Sequence, residues 1–360
     1  MPCGLLFGHG SRSRGGCAGA LVAWVSASLL EGGCFVLFVV IALGLTYGFL
    51  NGFHDSPNIA APLISTRALR PRTTLLWVAV GEFLGPLVFG SAVAKAIGAD
   101  MFYGEAITLT ILAAALIGAN VWNLITWWFG IPSSSSHALV GGLLGAAVIA
   151  RGVGVIRWPG LTRVLIALFS SPFLGFFAGY IVTKFNFVTF RNASPRMGEV
   201  FRRGQLLTAI GLAMSHGAND SQKTMGVLTL ALVVSGQIPH FAVPFWVVLL
   251  SAIVMGVGAS LGGWRLILTL GGRVFRIRPI HGFSSQVASA VVIGGASLLG
   301  GPVSTTHVMT SALMGSGAAE RINKVRWQIA GDMVYAWILT IPISGLVAAG
   351  FYLLLHAIGL

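Results

Sequence analysis

The chain has 360 residues, of which 56% are hydrophobic and 9% charged, and its mean hydropathy is +0.88. A soluble domain carries about 25% charged residues, so this composition excludes a large soluble domain and specifies a polytopic, all-α membrane protein. The net charge of +13 does not indicate nucleic acid as a partner. The basic residues stand in short loops between apolar runs, as in cytoplasmic loops facing the anionic headgroups of a lipid bilayer.

Residues 1–32 form an N-terminal extension: Arg12 and Arg14 precede a short apolar run, Cys17 to Leu30, that ends at Glu31-Gly32-Gly33. Neither this extension nor Cys3, Cys17 and Cys34, which lack metal-ligand spacing, is assigned any chemistry. The first span starts at Cys34 and breaks at Leu50-Asn-Gly-Phe-His-Asp-Ser-Pro-Asn58, since Gly and Pro leave helical geometry easily. It resumes to Thr66 and closes at Arg67, Arg70 and Arg72. Spans over 74–93, with Glu82 inside, and 107–129 follow. Gly130-Ile131-Pro132 then introduces Ser133-Ser-Ser-Ser-His137 and a small-residue helix to Ala150. A span over 161–182 leads into a basic linker at 184–204, predicted to be cytoplasmic.

From 205 onward the plan repeats. A second broken span, 206–234, carries Ser215-His-Gly-Ala-Asn-Asp-Ser-Gln-Lys223, and another covers 243–263. A basic loop (Arg265, Arg273, Arg276, Arg278) precedes a span starting near Ser284. Gly300-Gly-Pro-Val-Ser-Thr-Thr-His307 opens a second small-residue helix to Ala319, and 329–355 form the last span. From Asp55 to His137 is 82 residues and from Asp220 to His307 is 87. This internal symmetry predicts two inverted-topology repeats, 33–183 and 205–360, of about five membrane segments each, with broken helices and half-helices meeting at the midplane. The basic loops then place the chain in the plasma (inner) membrane with both termini extracytoplasmic.

Pro132 and Pro302 stand at helix starts, with hydroxyls in the cap and first-turn positions behind them. Helix N-termini offer free N–H groups and partial positive charge, and hydroxyls add donors, which suits a tetrahedral oxyanion. One such run alone would be read as helix packing; two at symmetric positions, paired with the broken helices, favour a site. Asp55 and Asp220 would repel an anion there, so a cation or proton must bind with it. Among amides and hydroxyls they suit a metal ion, whereas Glu82, alone in an apolar span, either carries a proton or bonds between helices. His54, His137, His216 and His307 either shuttle protons or are packed imidazoles, and Lys223 lies close enough in sequence to neutralise Asp220. With no nucleophile elbow, no phosphate-binding glycine loop and acids scattered along the sequence, the chain is not read as an enzyme. An anion channel would instead require rings of residues around a continuous pore.

Asn51-Gly-Phe-His-Asp55 with Thr66-Arg67-Ala68, Pro132 to His137, Ser215 to Asp220 and Pro302 to His307 resemble, in order, the signatures of the inorganic phosphate transporter (PiT) family, and Trp327 to Pro342 resembles its C-terminal span. The resemblance covers about 35–351. It implies an inverted-repeat fold, usually a homodimer, that carries inorganic phosphate, or sulfate in some bacterial members, with protons, sodium or a divalent metal. The family's substrate and cation residues fall on Asp55, Asn58, Ser134, Ser135, Ser136, Asn219, Asp220, Ser304, Thr305 and Thr306, and its functional glutamate falls on Glu82. The chain has Gly-Phe-His-Asp where the sodium-coupled branch has Gly-Ala-Asn-Asp, and Gln286 where that branch has a glutamate. Gln222-Lys223 resembles bacterial low-affinity, proton-coupled members.

Overall fold

The computed structural model describes residues 32–262, apart from 132 and 195, and 277–358. The expectations for 1–31, for Pro132 and for Arg265, Arg273 and Arg276 lie outside the described residues. Among the described residues the fold is helical: α1 (Gly32–Ser65), α2 (Pro71–Val88), α3 (Ala92–Gly98), α4 (Leu109–Phe129), α5 (Ser135–Arg151), α6 (Trp158–Thr189), α7 (Met197–Val234), α8 (Phe245–Leu261), α9 (Pro279–Leu298), α10 (Thr305–Glu320) and α11 (Trp327–Ala357). By length and composition, α1 from Cys34, α4, α6 and the part of α11 from Val334 can each cross a membrane, and α2 with α3, bent by 80°, can make a fifth span. The outer surface is apolar, with Phe173, Phe177, Phe185 and Leu346 all more than half exposed. Asp55, Glu82, Asp220, Lys223 and many hydroxyl and amide side chains are buried instead, the inverse of a soluble protein and the arrangement a hydrocarbon solvent selects.

Helix lengths and neighbours correspond between the halves. The pairs α4 and α9 (21 and 20 residues), α5 and α10 (17 and 16) and α6 and α11 (32 and 31) match closely. Packing is exchanged: α2 lies on α7 as α8 lies on α1, and α10 lies on α6 as α5 lies on α11. The polar 184–204 segment is mostly helical, since α6 runs to Thr189 and α7 begins at Met197.

One expectation fails. Neither motif is a break: α1 continues through Asn51–Asn58 with Pro57 and Pro62 inside it, and α7 continues through Ser215–Lys223. The motif glycines serve close approach instead. A Cβ on Gly52 would stand 2.2 Å from the Met255 carbonyl oxygen, and one on Gly217 would stand 2.3 Å from that of Glu82. Helices meeting at such distances in lipid hold together through dispersion, which replaces the hydrophobic drive available in water.

The breaks come at the hydroxyl runs. Gly130 (φ 66°) ends α4 and Gly300 (φ 74°) follows α9, both in the left-handed region that side chains with a Cβ avoid. Ser134 and Ser304 then cap α5 and α10, their hydroxyls accepting from the backbone N–H of His137 and His307. At about 25 Å, each capped helix is shorter than a roughly 30 Å hydrocarbon core. Both are half-helices that begin deep inside the protein.

Candidate functional site

The two half-helices meet N-terminus to N-terminus. The Ser304 hydroxyl donates to Ser134 Oγ at 2.7 Å, so the two caps are joined. Around this junction lie Asp55 from α1 and Asp220 from α7, both fully buried. Asp55 receives a hydroxyl from each half: Thr306 Oγ1 donates to its Oδ1 at 2.6 Å, and Ser135 Oγ stands 3.0 Å from its Oδ2. Ser135 Oγ is also 2.7 Å from Asn51 Oδ1, so a single proton is shared between two acceptors. His54 Nδ1 stands 3.2 Å from Asp55 Oδ1. Tyr47, buried on α1, donates its hydroxyl to the Ser135 carbonyl at 3.1 Å.

Asp220 is held differently. Thr305 Oγ1 donates to its Oδ2 at 3.0 Å, and the Lys223 ammonium bonds its Oδ1. Lys223 Nζ also donates to Ser136 Oγ at 2.5 Å and to the Val303 carbonyl at 3.0 Å. Lys223 is therefore buried with all three of its protons placed on oxygen. On the other side of Asp220, His216 Nε2 stands 3.4 Å from Oδ2 and His216 Nδ1 stands 3.0 Å from Glu82 Oε1. Glu82, His216 and Asp220 form a line from α2 into the site. A carboxylate oxygen each from Asp55 and Asp220 and a ring nitrogen of His216 lie within 4.8 Å of one another. Acids that look scattered along the sequence thus converge, and the mixed oxygen and nitrogen set can hold a metal ion. An alkali ion would use the oxygens alone.

The structure brings together Asp55, Asp220, Glu82, Ser134, Ser135, Ser136, Ser304, Thr305 and Thr306. Among the described residues, no hydrogen bond joins Asn58 or Asn219 to these side chains. Asn219 braces the turn before α10, donating to Ser297 Oγ at 3.0 Å and to the Gly301 carbonyl at 3.1 Å. Asn58 lies one helical turn beyond Asp55, lining a small pocket with Ser285, Gln286, Ser289 and Thr310. Gln286, where the resemblance expects a glutamate, accepts from Thr208 Oγ1 at 2.7 Å. Gln222 accepts from the Val93 N–H at 2.7 Å in the first turn of α3. Sequence reasoning left Tyr47 and Asn51 out of the site. Asn51 was detectable as a polar group one turn before Asp55 on the same helix face. Tyr47 gave no signal among the apolar residues of α1.

A family model described as "Phosphate transporter family" matches residues 51–195 and 186–348. A protein of Rhizobium meliloti (strain 1021) named "Probable low-affinity inorganic phosphate transporter" is 40% identical over 319 residues, 88% of this chain and 96% of its own. One of the same name from Bacillus subtilis (strain 168) is 39% identical over 328 residues, covering 89% and 97%. A solved structure described as "The sodium-dependent phosphate transporter" superposes with a TM-score of 0.81 over 90% of this chain and 100% of that one, at 24% identity, and supports the fold.

Proposed function

We propose that this chain, which belongs to the phosphate transporter family, is a multi-pass secondary transporter that carries inorganic phosphate together with a cation or proton. The carrying observation is the convergence of two buried aspartates on the joined N-termini of two half-helices. Those N-termini, with Ser135, Thr305 and Thr306, supply the donors a tetrahedral oxyanion needs. The same hydroxyls bond Asp55 and Asp220. Phosphate and the carboxylates therefore compete for one donor set, and they repel each other: unit charges 4 Å apart at an effective dielectric of 20 interact by about 4 kcal/mol. A cation on the aspartates removes the repulsion and frees the hydroxyls for the substrate. Coupling follows from this competition.

In this reading Asp55 and Asp220 hold the companion cation, alkali or divalent, and Glu82 carries the transported proton, reaching Asp220 through His216. Ser134 and Ser304 hold the two N-termini in register, and Ser136 positions Lys223. Asn58 and the pocket beside Gln286 lie on the exit from the site, towards the ends of α1 and α10 that carry the basic loops. The exchanged helix packing supports two inverted repeats, 33–183 and 205–360, rocking about the junction in the plasma membrane with both termini outside. The relatives carry transporter names, and no enzymatic activity is assigned. Proteoliposome uptake of labelled phosphate with sulfate as competitor tests the substrate: phosphate should be displaced poorly by sulfate. Equal displacement would make the chain a general oxyanion carrier, and ohmic flux independent of any cation would make it a channel.

A further inference from the structure

Aligning the two motifs at their aspartates places Asn51-Gly-Phe-His-Asp-Ser-Pro-Asn58 over His216-Gly-Ala-Asn-Asp-Ser-Gln-Lys223. Lys223 is thus the counterpart of Asn58, a cation where the first half has a neutral amide. Its Nζ touches one carboxylate oxygen, one hydroxyl and one backbone carbonyl, from Asp220, Ser136 and Val303. That is the donor set a hard metal cation takes. Exchanging the halves, the counterparts of these three are Asp55, Thr306 and Ser133. Thr306 Oγ1 already stands 2.6 Å from Asp55, and Asn58 points elsewhere, into the pocket with Gln286.

We propose that Lys223 is a tethered stand-in for a transported metal cation. Its ammonium fills one cation place, at Asp220 Oδ1, so that the chain loads one metal ion fewer than a site on each aspartate would allow, and the remaining metal place is the one Asp55 shares with the other side of Asp220 and His216. This rests on the reading that the aspartates hold the companion cation. The competing role, a direct ligand of the phosphate anion, has little support in the geometry. All three ammonium protons are spent on protein oxygens, and the side chain is 1% exposed. An ammonium on a flexible four-carbon stem is a compact point charge, which suits replacement of a monovalent ion. The residue therefore sets the number of metal ions per cycle, and with it the choice of coupling ion.

The test is equilibrium binding of labelled sodium to the purified full-length chain without phosphate, comparing wild type with Lys223→Asn. The variant should bind one more sodium ion per chain, and the increment should vanish in Lys223→Asn/Asp220→Asn. Lys223→Met, which keeps the packing volume, provides a second measurement: sodium should raise its unfolding temperature more than that of wild type at matched ionic strength. No additional ion in Lys223→Asn and no added sodium response in Lys223→Met would overturn the proposal. So would variants that stay unstable at every sodium concentration. Loss of phosphate affinity that sodium does not restore would assign Lys223 to the anion. Because sodium binding is read without transport, failure of phosphate uptake in wild type would count against the transport function and leave this result standing.

Discussion

Gly217→Ala should damage both the fold and the coupling, through a contact whose size the structure fixes. The new Cβ would lie 2.3 Å from the Glu82 carbonyl oxygen, against 3.4 Å or more for ordinary contact. Helices α2 and α7 must therefore part by about 1 Å, and overpacking of this kind costs about 1–3 kcal/mol. At about 2–4 °C per kcal/mol for domains of 150–250 residues, and less for a longer chain, the unfolding temperature should fall by a few degrees. The same shift moves Glu82 away from His216. Their 3.0 Å contact opens towards about 4 Å, outside hydrogen-bond reach. Accumulation of phosphate driven by a pH gradient should then fall more than exchange of phosphate between equal pools. Gly211→Ala is the control on the same helix, because nothing lies within 4 Å of its Cβ position. It should be neutral, or stabilising by up to about 1 kcal/mol from helix propensity. Thermal unfolding in detergent and uptake in proteoliposomes measure both effects. Gly217→Ala behaving like Gly211→Ala in the two assays would refute the close-packing argument.

Ser135→Ala and Thr305→Ala should each raise the half-saturation concentration for phosphate roughly 2- to 12-fold, the equivalent of about 0.5–1.5 kcal/mol, because the hydroxyl exchanges one charged acceptor for another. Unchanged half-saturation in both, measured by initial uptake rates, would return them to a packing role. Glu82→Gln should keep phosphate exchange and lose the roughly tenfold accumulation per pH unit expected of one-proton coupling. Normal pH-driven accumulation in that variant would remove Glu82 from the proton path. Asp55→Asn should impair exchange and accumulation together, since it removes the acceptor of Thr306 and a cation ligand at once.

Much of this was legible in the chain. The apolar spans, the two capped half-helices and the pairing of each aspartate with a hydroxyl run all follow from composition, spacing and helix-cap chemistry. The unbroken course of α1 and α7 was not, because Gly and Pro signal a break and a tight crossing with the same letters. Only the partner backbone, Met255 for Gly52 and Glu82 for Gly217, decides between them. Cross-half partners were equally hidden: that Thr306 reaches Asp55 and Lys223 reaches Ser136 depends on two helix ends meeting after folding. Asn58 and Asn219 read from the motifs as substrate contacts, and what their letters could not show is their protein surroundings: one turn of α1 carries Asn58 into the pocket beside Gln286, and the Asn219 amide bonds the turn before α10.

Net accumulation of phosphate is expected to require a companion charge at Asp55, Asp220 and Glu82. Purified protein in sealed proteoliposomes, loaded with equal phosphate on both sides and given a pH gradient alone, a sodium gradient alone or neither, tests it most directly. Labelled phosphate should accumulate above equilibrium under the pH gradient and stay level with neither gradient, and a proton ionophore should abolish the accumulation. Equilibration without accumulation under every gradient would contradict the account, leaving a passive anion pathway.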